Sequence, residues 1–394
     1  PQWIRHRLQS ERVHKMYLFP YFFYQLMAVT VQLFAGGNLV SLLTGIPLVN
    51  AMFIMAATVL VYAFISGLES SFVTDFVQFL LIIIGVVVVV PWAVAVAGGW
   101  SAVSAGIGGV TGQYKNIFDP GVAFSFGIVT AIGLISGAIS DQQYWQRAFA
   151  IKRDNLVPSF VFGAVMFGIV PIALSVLGFL AANSSLGIAL PSGVDASMIG
   201  VIAVGKLLPV GVIELFVIML LSALYSTLDS GVVAASSLYV ADVVKYSGEE
   251  AGVLLKMDKG EPLSPEEEAI GRSLDRRGVQ NSRLSMLVMM VMGLIVALAA
   301  AYVPGFGLKQ LWWIFNTIAA CVVVPTVLSL FWDGLDERGV FWGVLVAFVV
   351  GIPLFIYGNT MDDPYLIVST SLFIIAVSAV FCFPGIAHKR IRKG

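Results

Sequence analysis

Charged side chains are scarce in this 394-residue chain. Asp, Glu, Lys and Arg together make up 11% of it, whereas a typical soluble domain has roughly 25%. Hydrophobic residues make up 59%, which is more apolar surface than a soluble core of this size can bury. The formal net charge is -1, so no basic field indicates a nucleic-acid partner. The chain is therefore predicted to be an integral membrane protein.

Cysteine and histidine are also scarce, which excludes several kinds of site. The two cysteines, Cys321 and Cys382, lie within apolar runs, and they do not indicate a disulfide framework. The three histidines all lie in basic segments near the ends of the chain, at His6, His14 and His388. Neither a histidine metal site nor a Ser/His/Asp triad is expected within the membrane. Enzyme activity and a cofactor are therefore not predicted.

Ten apolar runs are long enough to cross a bilayer, for which a helix needs about 20 residues. They lie at 17–44, 49–66, 72–98, 121–140, 156–182, 209–243, 284–303, 308–332, 339–358 and 364–384. None alternates apolar and polar residues as the strands of a membrane barrel do, so an all-α membrane protein is predicted. The connection 244–283 is polar and is predicted to be a solvated loop with one short surface helix. The whole chain, 1–394, is expected to be a single transmembrane domain.

The positive charges predict the orientation. Ten alternating spans put all but three of the 22 lysines and arginines on one side. Only Lys115, Lys206 and Lys309 then lie on the other side. Cytoplasmic loops carry the excess of positive charge, so both ends of the chain are predicted to be cytoplasmic in a cell membrane. The chain begins at Pro1 without an initiator methionine or a signal peptide, and further helices are expected to precede it.

Two aspartates, Asp75 and Asp229, lie well inside predicted spans, where ionisable residues are costly and mark functional sites. Asp75 lies about two turns into its span, where it is predicted either to reach water or to bind a cation. Asp229 adjoins a helical face of small and hydroxyl residues formed by Ala223, Ser226, Thr227 and Ser230. Helix packing would explain the serines, but a buried aspartate without a partner would stay protonated. A cation bound by carboxylate, hydroxyl and carbonyl oxygens is the favoured interpretation.

The span 121–140 carries a second small-residue face, formed by Gly133, Ser136, Gly137 and Ser140. This face either packs closely against another helix or unwinds and offers backbone groups to a solute. The segment from Asp141 to Arg147 is predicted to cap the helix and to form an inner gate or a structural ion-pair network.

Further polar side chains lie in the spans 17–44 and 308–332. Gln25 and Gln32 are seven residues apart and so share one helical face. Trp312 fits an interfacial aromatic belt, whereas Asn316 lies deeper and needs a hydrogen-bond partner. The candidate solute site comprises Gln25, Gly133, Ser136, Gly137, Trp312 and Asn316.

Four motifs resemble the sodium:solute symporters, which include the proline, sialic acid, pantothenate and sodium/glucose transporters. The run at 66–78 resembles their fifth core helix, on the residues Ser66, Gly67, Leu68, Thr74, Asp75 and Gln78. The run at 223–230 resembles their eighth core helix, on the residues Ala223, Ser226, Thr227, Asp229 and Ser230. The segments Gln146–Ala148 and Pro1–Arg7 resemble the elements after the sixth and before the third core helix.

The resemblance implies a LeuT-type five-plus-five inverted repeat. Residues 17–98 would form the remainder of the first repeat, 121–332 the second repeat, and 339–384 two peripheral helices. The first two core helices are absent from this chain, and the first of them supplies part of the sodium and solute contacts in the family.

The resemblance also implies two sodium sites. The main site would use the Ala223 carbonyl with Ser226 and Thr227. A second site, present in some members, would use Asp75, Ser226 and Ser230. Asp229 stands where some members have a serine, and its charge favours a second cation or a proton.

The predicted function is sodium-coupled symport of a small organic solute, with the solute, the sodium ion and the lipid bilayer as partners. An alternative is a proton- or sodium-coupled urea-type permease, since the run from Asp141 to Gln146 resembles that branch of the family. A transporter-like membrane sensor or a non-transporting subunit is an alternative of another class.

Overall fold

The computed structural model describes residues 1–110, 112–303 and 306–382, with side chains except at 66–70, 113 and 125. These residues form helices and no strands. The α-helices are, in chain order, α1 (Gln2–Leu8), α2 (Glu11–Thr44), α3 (Leu48–Val96), α4 (Trp100–Gly106), α5 (Val129–Ser140), α6 (Gln142–Ala150), α7 (Arg153–Ala182), α8 (Ile199–Leu207), α9 (Val210–Leu238), α10 (Gly248–Lys259), α11 (Pro265–Ala301), α12 (Leu308–Ile318), α13 (Ala320–Phe331), α14 (Glu337–Val346), α15 (Ile352–Thr360) and α16 (Pro364–Val380). Three π-helical stretches extend them, at Gly121–Ile128, Tyr239–Val243 and Ala347–Gly351.

The prediction of an all-α membrane fold is confirmed. Within the described ranges, nine helical segments are long and apolar enough to cross a membrane. The tenth predicted span, 364–384, corresponds to the shorter apolar helix α16. Its last two residues and the basic tail to Gly394 lie outside the described residues.

Helix α3 contains two candidate membrane spans, Leu48–Ile65 and Ser71–Val96, which correspond to the predicted spans 49–66 and 72–98. The first half runs in the same direction as α9. Thr58 lies beside Tyr225, and Tyr62, one turn further on, lies beside Asp229.

The second half of α3 runs in the direction opposite to α9. Ser71 contacts Asp229, whereas Gly85 packs against Met219, ten residues earlier in α9, and a Cβ at Gly85 would lie 2.6 Å from the Met219 Cβ. The two halves of α3 therefore run in opposite directions, so the chain bends back between Ile65 and Ser71, and both halves pack against α9.

Helix α2 lies at the centre of the bundle and packs against α3, α9, α11 and α12. Ala28 and Val29 of α2 are fully buried. Close approach of α11 depends on Gly293, where a Cβ would lie 2.4 Å from Val29 Cγ1.

The polar connection 244–283 was predicted to be a solvated loop with one short surface helix. Instead, helix α10 and the first part of α11 make up most of it. Each helix begins with a capping box, at Ser247–Glu250 and Ser264–Glu267, and each box satisfies two backbone N–H groups at a helix start. An ion pair of 2.5 Å between Lys256 and Glu267 joins the two helices.

Candidate functional site

Asp229 is fully buried in α9, where both halves of α3 approach it. Its Oδ1 accepts hydrogen bonds from Ser71 Oγ at 3.3 Å and from Ser230 Oγ at 3.2 Å. Its Oδ2 accepts one from Thr74 Oγ1 at 3.2 Å, and the Tyr62 side chain lies alongside. None of the described residues forms an ion pair with Asp229. Its partners are hydroxyl dipoles, so a bound cation would supply the missing positive charge.

Asp75 lies one turn beyond Ser71 and has a cationic partner. The Arg147 guanidinium forms an ion pair with Asp75 Oδ2, and Ser226 Oγ donates a hydrogen bond to Asp75 Oδ1. Arg147 Nη2 also donates to Ser230 Oγ at 2.7 Å. Arg147 therefore contacts two of the three residues of the expected second sodium site. Sodium could use those oxygens only after the guanidinium had left.

The residues of the expected main sodium site share one face of α9. Thr227 Oγ1 donates to the Ala223 carbonyl at 3.4 Å. The Ser226 and Thr227 side chains both line a cavity of about 330 Å³. The hydroxyl and carbonyl oxygens on this face are the type of ligand that hard cations prefer.

This central cavity also receives residues from α2, α5, α6 and α12. Its polar lining consists of Gln32, Asp141, Gln143, Arg147, Ser226, Thr227, Ser230 and Asn316. Its aromatic lining consists of Tyr24, Tyr144, Phe167, Trp312 and Phe315. The structure thus brings Gly137, Trp312 and Asn316 of the candidate solute site into one space with the candidate cation residues.

Asp141 caps α6 and lies in a buried hydrogen-bonded network. Its Oδ1 accepts from the Gln143 backbone N–H and from Gln25 Nε2, each at 2.9 Å. Gln143 Nε2 donates in turn to Gln25 Oε1 at 3.0 Å. Asp141 does not pair with Arg147, which reaches Asp75 on α3 instead.

Three residues of the candidate solute site lie behind the cavity wall. Gln25 is fully buried and bonds to Asp141, and Ser136 is buried. Gly133 packs against Asn316, which donates to the Trp312 carbonyl at 2.8 Å. Residues 129–140 form a regular α-helix, in which Gly133 permits close packing whereas Gly137 lines the cavity.

Gly133→Ala is expected to lower the melting temperature. A Cβ at this position would lie 2.6 Å from the Asn316 Cβ, and overpacking of this kind costs about 1–3 kcal/mol. Gly168→Ala in α7 is the matched control, since no atom lies within 4 Å of its Cβ position. Thermal unfolding of the purified variants measures the difference, and equal melting temperatures would contradict the close packing.

Four residues that line the cavity or bond to Asp229 were not among the predicted site residues. Ser71 and Thr74 bond to Asp229 and lie on the same helical face as Asp75, so the i, i+3 and i+4 spacing could have indicated them. Tyr24 lies eight residues before Gln32, again on one face. Gln143 lies within the predicted gate segment from Asp141 to Arg147, but it was not singled out there.

A second cavity, of about 880 Å³, adjoins the central one, and both are lined by Gln32 and Trp312. Asp195 at its edge accepts hydrogen bonds from Ser197 Oγ at 2.6 Å and from the Leu308 backbone N–H at 2.9 Å. Burial opposes ionisation of Asp195, but these hydrogen bonds outweigh it and lower the pKa of the carboxyl below its usual value. The loop before α8 is thereby tied to the start of α12.

The chain is similar to transporters of one family. The profile of the sodium:solute symporter family matches residues 1–251, which include Asp75, Arg147 and Asp229. The sodium/pantothenate symporter of Escherichia coli (strain K12) is 23% identical over 353 residues, covering 86% of this chain and 64% of that protein.

Two further relatives carry other names. The sodium/glucose cotransporter of Vibrio parahaemolyticus is 24% identical over 408 residues, covering 96% of this chain and 70% of that protein. The urea-proton symporter DUR3 of Oryza sativa subsp. japonica is 24% identical over 369 residues, covering 83% of this chain and 46% of that protein. The chain spans less than two thirds of the length of the pantothenate symporters it matches. The relatives are named as transporters, not as enzymes.

Proposed function

Because the chain belongs to the sodium:solute symporter family, we propose that it is part of a secondary active transporter that couples sodium entry to uptake of a small organic solute by alternating access. The central cavity carries this proposal. Its lining includes Ser226 and Thr227 of the candidate cation site together with Trp312 and Asn316 of the candidate solute site. A cation and a solute bound there would be close enough to affect each other's binding.

The coupling sodium binds at the main site, to the Ala223 carbonyl and the hydroxyls of Ser226 and Thr227. Coupling requires that sodium bind the outward-open and inward-open states with different affinities. Both ends of the chain are cytoplasmic in a cell membrane, as the distribution of lysine and arginine indicates.

A proton- or sodium-coupled urea-type permease is the second candidate. It is supported by the likeness to the urea-proton symporter of rice and by the run from Asp141 to Gln146.

Uptake by the full-length protein in proteoliposomes tests both candidates. Labelled solutes, among them urea, proline and a sugar, are offered with an inward sodium gradient, with an inward proton gradient or with neither. We expect uptake of one solute to require the sodium gradient. Uptake that follows the proton gradient would favour the second candidate, and uptake that follows neither gradient would refute coupled transport.

A further inference from the structure

The Asp141 carboxylate has one oxygen without a hydrogen bond. The side chain is 4% exposed, and both of its hydrogen bonds, from Gln25 and Gln143, go to Oδ1. The described residues donate none to Oδ2, and the carboxylate lines the central cavity. Because Oδ2 is open to the cavity and the described residues leave it without a donor, it can accept a hydrogen bond from a molecule bound there.

The positive charge in the cavity is already engaged. Arg147 is the one lysine, arginine or histidine among the described residues that line it. Its Nη2 contacts Asp75 and Ser230, and its Nη1 donates to the Gln143 carbonyl at 3.2 Å. A solute carboxylate in the cavity would therefore meet Asp141 without a free cation to balance it.

The charges in and beside the cavity favour a positively charged solute. Asp75 is already paired with Arg147, and Asp229 is the candidate for a second cation or a proton. Asp141 is therefore the carboxylate lining the cavity that has no cationic partner among the described residues. An unpaired charge within a membrane protein is costly, and a positively charged solute would pair with it.

Aromatic rings complete the argument. Tyr24, Tyr144, Trp312 and Phe315 line the same cavity as Asp141, and the Tyr24 and Phe315 ring centroids are 4.3 Å apart. The faces of aromatic rings attract ammonium and guanidinium groups through cation–π interactions. A carboxylate among aromatic rings suits an organic cation better than a sugar, which needs many hydrogen-bond partners.

We propose that the solute is a small organic cation, an ammonium or guanidinium compound, whose charge pairs with Asp141 in the central cavity. The coupling of this organic cation to sodium rests on the proposed function, whereas its binding at Asp141 does not.

Two pairs of probes with matched shape test the charge. Guanidinium is compared with urea, and choline with the uncharged 3,3-dimethylbutan-1-ol, by calorimetric titration of the full-length protein in nanodiscs with saturating sodium. We expect the cation to bind about tenfold or more tightly than its neutral counterpart in at least one pair, because a hydrogen bond between charged groups is stronger than a neutral one. A smaller preference in both pairs, or no binding of either cation, would overturn the proposal.

Asp141→Asn then tests the residue, since asparagine also caps helices and keeps the side-chain shape. We expect the two members of the pair to bind this variant within about threefold of each other, as the charged hydrogen bond is lost. Asp363→Asn is the matched control, because Asp363 is an exposed cap at the start of α16 and its loss should leave the preference unchanged. A cation preference that survives Asp141→Asn undiminished would remove Asp141 from the site. The wild-type comparison stands even where the variant does not fold.

Repeating the titrations in potassium without sodium separates the two proposals. If the cation preference persists but sodium has no effect on affinity, the substrate class stands and the coupling fails. If sodium strengthens binding but the cation binds less than about tenfold more tightly than its neutral counterpart in both pairs, the coupling stands and the organic-cation proposal fails.

Discussion

Asp75→Asn is expected to lower sodium-driven uptake roughly fiftyfold. Its neutral side chain would leave the Arg147 guanidinium without a carboxylate, beside the hydroxyls that are proposed to hold sodium. Removing one partner of a buried ion pair costs about 3–5 kcal/mol. The side chains of Asp75 and Arg147 are 20% and 29% exposed, so solvent screening should reduce the cost to about 2–3 kcal/mol. Uptake in proteoliposomes and thermal unfolding measure the two consequences.

A double variant and a surface control isolate the ion pair. Asp75→Asn combined with Arg147→Gln should be more stable than Asp75→Asn alone, because no unpaired charge remains. Glu267→Gln, which breaks the solvent-exposed ion pair with Lys256 in the polar segment, should barely change the melting temperature and should leave uptake unchanged. Equal losses in Asp75→Asn and Glu267→Gln would show that the Arg147 pair has no special role.

Thr227→Ala is expected to raise the sodium concentration for half-maximal uptake roughly tenfold. The variant would lose one proposed ligand, and a hydrogen-bonding group that contacts a charge contributes about 1.5–3 kcal/mol. Sodium titrations of initial uptake rates measure the change, with the solute at a fixed concentration.

Thr44→Ala is the matched control for Thr227. Thr44 Oγ1 donates to the Val40 carbonyl at 2.6 Å, the same i to i−4 contact that Thr227 makes, but at the exposed end of α2. The control should leave the sodium dependence unchanged. If both variants titrate like the wild type, Thr227 does not bind the coupling ion.

The helices could be predicted from the sequence because a long apolar run can adopt few structures other than a helix within a membrane. The helical start of α11 was missed, although the Ser264–Glu267 capping box marks it. The same reasoning singled out Asp75 and Asp229 as candidate site residues, since a charged side chain is costly within an apolar span.

The partners of these aspartates could not be predicted. Arg147 lies 72 residues from Asp75 in sequence, and the antiparallel arrangement of the halves of α3 brings Ser71 to Asp229. Neither contact leaves a periodic signal, because both depend on how separate helices pack. The sequence also placed Gln25 in the solute site, whereas its fully buried amide supports Asp141 from behind.

Because α9 packs against both halves of α3, these helices can slide past one another only by breaking several polar contacts together. A shift of one turn, about 5.4 Å, would separate Asp229 from Ser71 and Thr74, and Ser226 from Asp75. Because these contacts would have to break at the same time, we expect α3 and α9 to move together as a single rigid block. The Arg147 side chain belongs to α6 and contacts both α3 and α9. Release of this one side chain could therefore begin a rocking movement between α6 and the block.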